Sequence, residues 1–164
     1  MKKVLAFSIV LLAFTAGAFA QNATATATAV IVSPITLART ADLSFGNIIA
    51  DVDGGTVVLV PAGTRTLNGL ASPSIQGTIT NASFTVTGLI GATYAITLPA
   101  THTISNGTQN MIVDTFTSTP SATGTLDAAG NQTLNVGATL NVGANQAAGT
   151  YTNALGFQVT VNYN

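Results

Sequence analysis

Two runs of strict two-residue alternation occupy the last third of the chain. In the first, Leu134, Val136, Ala138, Leu140 and Val142 share one face, while Thr133, Asn135, Gly137, Thr139 and Asn141 take the other. In the second, Tyr151, Leu155, Phe157, Val159, Val161 and Tyr163 fall on odd positions, with Thr152, Gln158, Thr160 and Asn162 between them. Successive strand side chains point to opposite faces, so the pattern predicts two half-buried strands rather than helices. A flexible connection, residues 143–149, joins them and ends at a glycine. The two strands are expected to pair or to line one core, forming the spine of a β-sandwich.

Residues 23–32 read Ala-Thr-Ala-Thr-Ala-Thr-Ala-Val-Ile-Val, an extended pattern with small side chains on one face. Two readings stand: an ordinary first strand of the sandwich, or an arm that completes a neighbouring subunit. Leu43 and Phe45 are expected in the core, with Gly46 allowing a bulge. Residues 51–55, Asp-Val-Asp-Gly-Gly, read as a turn. A short strand over 56–60 follows, stopped by Pro61, and residues 61–74, with Arg65, read as a loop or weakly paired edge. Ile75, Gly77 and Ile79 suggest one strand and Phe84 and Val86 the next, paired antiparallel around Asn81. Tyr94, Ile96 and Leu98 make another, closed by Pro99. Asn106-Gly107 is a pair favoured in two-residue hairpins, leading to a strand over 111–116. Turns are expected at 117–122 and 127–131. The whole reads as all-β: a single antiparallel, immunoglobulin-like β-sandwich of about nine or ten strands, without a helical apolar stripe. The near-repeat over 134–145 is explained by strand alternation, since two copies are too few for a solenoid.

The N-terminus changes what counts as the mature protein. Lys2 and Lys3, an apolar run over 4–14 and Ala18-Phe19-Ala20 have the form of a secretory signal peptide, expected over residues 1–20. Residues 21–164 then form one domain, with a net charge of −3 from Arg39 and Arg65 against Asp42, Asp51, Asp53, Asp114 and Asp127. Without lysine or glutamate there is no basic patch for nucleic acid or anionic lipid. The chain has no cysteine, so an exported domain must depend on its apolar core. Edge strands are commonly blunted with lysine, and its absence leaves two options: the edges are covered internally, or subunits pair along them.

The inventory offers little chemistry. His102 is the single histidine and reads as a turn or surface residue. Asp51 and Asp53 resemble the start of a calcium loop but lack the further acids and the closing glutamate, so turn formation is the expectation. No nucleophile elbow or phosphate-binding loop occurs. The Asn-x-Ser/Thr triplets at Asn22, Asn81, Asn106 and Asn131 are expected by chance in so Asn- and Thr-rich a chain. No catalytic residue, metal or cofactor is expected.

Residues 41–46 (Ala-Asp-Leu-Ser-Phe-Gly), 55–59, 82–88, 94–99, 133–152 and 159–163 resemble the bacterial family called domain of unknown function 4402. More distantly, Gly149-Thr150-Tyr151 and the Phe157, Val159, Val161, Tyr163 end are similar to the C-terminal strand of spore coat protein U and of chaperone–usher pilin subunits. That similarity implies an incomplete immunoglobulin-like sandwich, completed by an alternating N-terminal arm of the next subunit. The positions it marks as a strand-pairing interface are Ala25, Ala27, Ala29 and Ile31 on the arm, and Phe157, Val159, Val161 and Tyr163 on the acceptor. The chain departs from that pattern in lacking the subunits' disulfide and in having alanines on the arm. The expected function is a secreted, non-enzymatic structural or cell-surface protein, fimbria-like and assembling through edge strands. Its expected partner is itself or a related subunit, without nucleic acid or membrane insertion, at the periplasm, cell surface or exterior. The alternatives are a monomeric extracellular binding module for carbohydrate or another surface ligand, and a small outer-membrane barrel.

Overall fold

The computed structural model describes residues 20–164, and the expected signal peptide lies outside them apart from Ala20. Residues 20–31 are exposed and form no strand or helix. The folded unit is Val32–Asn164. It contains β1 (Thr36–Ala41), β2 (Ser44–Phe45), β3 (Gly55–Leu59), β4 (Arg65–Asn68), β5 (Ile79–Thr80) and β6 (Ala82–Thr87). These are followed by β7 (Thr93–Thr97), β8 (Thr101–Ser105), β9 (Asn110–Thr119), β10 (Thr123–Thr125), β11 (Asn131–Val142) and β12 (Thr160–Tyr163). No helix occurs among the described residues, and every strand pairing is antiparallel.

The first alternating run becomes β11, which organises a curled seven-stranded sheet. One edge of β11 pairs with β9, while its other edge takes two strands in succession. β6 pairs with its first half (Val136 opposite Ala82) and β3 with its second half (Ala138 opposite Leu59). Gly137 sits at this junction, where a Cβ would lie 2.1 Å from the Leu59 carbonyl oxygen. The chain leaving β3 crosses there, so only a residue without a side chain fits. Beyond the junction the sheet extends through β6 to β1 and through β3 to β4, and on the other edge through β9 to β8.

Phase along β9 is kept by a bulge. Met111 and Val113 face inward on odd positions, and Phe116 does so on an even one. The register against β11 slips between Asp114 and Thr117, and Thr115 adopts φ 47°. One extra residue in the strand reverses the parity, so all three apolar side chains reach the same core.

The smaller sheet, β10-β7-β12, supplies the opposing face of one core cluster. Tyr94 of β7 is fully buried there beside Phe84, Val86, Leu134 and Val136. Its hydroxyl donates to Gln132 Oε1 (2.7 Å), which also accepts the Thr125 amide, and burial pushes the phenol above its ordinary pKa. A second cluster, Phe45, Val57, Leu59, Val113, Ala138, Leu140 and Val142, lies on the β3–β11–β9 half. Leu43 and Phe116 touch both clusters and make one continuous core.

Several expected pairings differ. Only Thr160–Tyr163 of the second alternating run forms a strand, and it pairs with β7 rather than β11, although it lines the core with Leu134 and Val136. Residues 23–32 form no strand. Ile75 is exposed, and β5 pairs with β2, whereas β6 pairs with β1 and β11, so no hairpin forms around Asn81. Residues 65–68 are a full ladder partner of β3. The β8–β9 hairpin exists, but its connection is four residues, because Asn106 Oδ1 accepts the Thr108 and Gln109 amides and widens the turn. The turn at 51–54 is present, with the Gly54 amide donating to the Asp51 carbonyl.

Two consequences are measurable. Gly137→Ala forces the β3 exit away from β11 and is expected to lower unfolding free energy by about 1–3 kcal/mol in urea titration; an unchanged midpoint contradicts the close approach. At the β10–β11 turn, Asp127 Oδ1 accepts the Asn131 and Ala129 amides, and these bonds hold its carboxyl below the ordinary carboxylate value. Its contribution is present above about pH 3.9 and disappears as pH falls through the lower folded-state value. Asp127→Asn is therefore expected to flatten the acid limb of the stability profile, whereas an unaltered acid limb would exclude this role.

Candidate functional site: a groove beside the C-terminal strand

The four acceptor positions of the C-terminal run come together. Phe157, Val159, Val161 and Tyr163 are half-buried and pack against one core cluster. Phe157 meets Phe84, Phe116 and His102 with ring centroids at 6.4, 5.0 and 6.1 Å. Tyr163 closes the far end of the row: its hydroxyl accepts the Leu89 amide (2.7 Å) and donates to the Ser33 carbonyl (3.0 Å). Gly88 leaves room for that hydroxyl, since a Cβ there would lie 2.2 Å from it. Ala25, Ala27, Ala29 and Ile31 stand on the exposed segment without a strand partner.

Below Phe157 the row opens into a groove of about 1230 Å³. Its floor is apolar and includes Ala82, Phe84, Met111, Val113, Leu140 and Val142. One wall is the segment 39–50. Arg65 holds that wall by donating to the carbonyls of Phe45 (2.8 Å) and Asn47 (2.9 Å), while its other nitrogen donates to Ser72 Oγ (3.0 Å). The Ile49 and Ala71 amides and carbonyls exchange a further pair of hydrogen bonds. The second wall is the segment 146–157, which is tied to the β8–β9 hairpin. Gln146 Nε2 donates to Gln109 Oε1 and Tyr151 Oη, Thr152 pairs with Ser105, and Asn153 Nδ2 donates to the Thr103 carbonyl.

Among the described residues no hydrogen bond joins the two walls. One end is closed just beyond them, where the Asn145 amide donates to the Asp51 carbonyl. The charged side chains at the groove are Arg39 and Asp42, which pair with each other at 2.6 Å, and His102 also lines it. Arg39 and Asp42 are largely exposed, so that pair contributes little to stability. The groove therefore carries no net charge from this pair, and Ser44, Asn47, Thr152 and Asn153 line it beside the apolar floor.

Asp51 and Asp53 form the turn their spacing suggests, and no group of three metal-capable side chains occurs among the described residues. The groove itself has no motif. Its signals in the sequence are Pro99, which has no amide to extend the ladder of β7 beyond Thr97, and Gly156, whose φ of 64° and amide bond to the Asn153 carbonyl turn the chain at 153–156. Arg65, placed by sequence in a loop or a weakly paired edge, stands on a strand paired with β3 and braces a wall. Replacing it with Leu is expected to cost about 1–2 kcal/mol in unfolding free energy and to speed amide exchange at Asn47 and Ile49. Unchanged exchange at both amides contradicts the brace.

The family model described as "Domain of unknown function (DUF4402)" matches residues 35–163. No curated protein and no solved structure matches the chain. With nearly the whole folded unit covered, this chain belongs to the DUF4402 family.

Proposed function

We propose that this is a secreted, non-enzymatic structural or cell-surface subunit that assembles through edge-strand pairing, its sandwich being of the incomplete immunoglobulin-like kind. The observation that carries the reading is the half-covered row at Phe157, Val159, Val161 and Tyr163, whose strand β12 has a ladder on the β7 edge alone. A sheet edge without charges is a template for another strand. Residues 21–32 supply a matching element: uncharged, alternating and exposed.

Magnitudes set what kind of pairing this is. A buried Leu or Ile contributes about 1.5–3 kcal/mol and an alanine much less. Backbone hydrogen bonds, each worth a net ~0.5–1.5 kcal/mol, must therefore carry most of the association, with Val30, Ile31 and Val32 as the larger side chains. Such pairing takes its register from alternation and needs no catalytic group.

The test is the oligomeric state by light scattering of the chain from residue 21 against the chain from residue 33. Multimers of the longer form and monomers of the shorter are expected. Equal assembly of the two, or none by either, contradicts the reading.

A further inference from the structure

The rim of the groove holds a charge pair that strand pairing does not use. Arg39 stands opposite Phe84 in the β1–β6 ladder, so its side chain leaves the sheet on the face where Phe84 is buried. No layer covers it there, and it lines the groove beside Asp42 with its side chain 66% exposed. Of the chain's two arginines, Arg65 is spent on the carbonyls of Phe45 and Asn47 and on Ser72. Arg39 bonds to Asp42 through Nη1, and among the described residues its Nη2 and Nε have no acceptor. The rim thus carries a cation and an anion side by side, each with bonding capacity left.

The mouth is flanked by apolar side chains. Leu155 is 95% exposed on the turn at 153–156 in one wall, and Ile49 is 49% exposed in the other. A single exposed leucine is ordinary, but these two line one cleft whose floor is made of Met111, Val113 and Leu140. Such an arrangement suits a molecule with an apolar body and a polar end.

We infer that the groove binds a single-chain zwitterionic phospholipid, its acyl chain on the floor between Ile49 and Leu155 and its headgroup on the Arg39–Asp42 pair. The guanidinium takes the phosphate through its parallel N–H donors, and the Asp42 carboxylate takes the ammonium. Opening the original pair costs little, because both side chains already stand largely in water. A fatty acid would set its carboxylate against Asp42, and an uncharged head would gain nothing from either charge, so the pair selects the zwitterion. The size agrees. At about 1230 Å³ the groove exceeds the ~300–1,000 Å³ of pockets for drug-sized ligands and leaves room for a chain with its head. Burial of the chain supplies affinity and the charge pair supplies selection. The site uses neither residues 21–32 nor the β12 edge, so it stands apart from the assembly reading.

Calorimetric titration of the chain from residue 21 tests the site with three ligands of equal chain length, each below its micelle concentration: lysophosphatidylethanolamine, monoacylglycerol and a fatty acid. Saturable binding of the lysophospholipid is expected, tighter than either of the others by about three-fold or more. Arg39→Gln and Asp42→Asn are each expected to weaken it by about three-fold or more and to leave monoacylglycerol binding unchanged. Leu155→Asn is expected to weaken both lipids alike. All three side chains are largely exposed, so the variants are expected to keep the parent's urea midpoint. No saturable binding of the lysophospholipid overturns the site, and so does binding indifferent to Leu155→Asn. Equal affinity for the three ligands, or lysophospholipid binding untouched by both charge variants, overturns the headgroup assignment.

Discussion

The structure depends on one strand having two different neighbours on the same edge. β11 accepts β6 along its first half and β3 along its second, so the 60–81 excursion, which adds β4 beyond β3 and pairs β5 with β2, returns as β6 without breaking the ladder. That arrangement is possible only where the crossing chain meets no side chain, and Gly137 provides the opening. The excursion then carries β4 and β5, and Arg65 at the start of β4 reaches over to fix the backbone at Phe45 and Asn47. The fork in the sheet and the wall of the groove are parts of one construction.

Local pattern was legible wherever burial on one face fixes side-chain parity. β11, β3, β7 and the inward rows on β6 and β12 follow from alternation, and the turns at 51–54 and 127–130 follow from Asp and Gly chemistry. Partnership was not legible, because alternation states which face is buried but not which edge is paired. This is why Ile75 to Val86 looked like a hairpin although β6 joins β1 and β11 instead. The bulge at Thr115 was hidden for a related reason: Met111, Val113 and Phe116 do not share a parity, and only the register against β11 reconciles them.

The groove was the least legible feature, since it is made by what two segments fail to do. Residues 39–50 and 146–157 are each bonded to other parts of the sheet, and neither is bonded to the other. The alternation over 151–159 is interrupted by a turn in which the Gly156 amide donates to the Asn153 carbonyl, so a local strand pattern gives way to the fold. Such a conflict between local and global preference is expected at functional sites.

Amide hydrogen exchange across residues 157–163 tests the proposed edge pairing most directly. It is measured on the chain from residue 21 and on the chain from residue 33. The account predicts that exchange of alternate amides in this stretch slows at least ten-fold on assembly, while β11 is protected equally in both. Equal exchange at 157–163 in the two forms would contradict it.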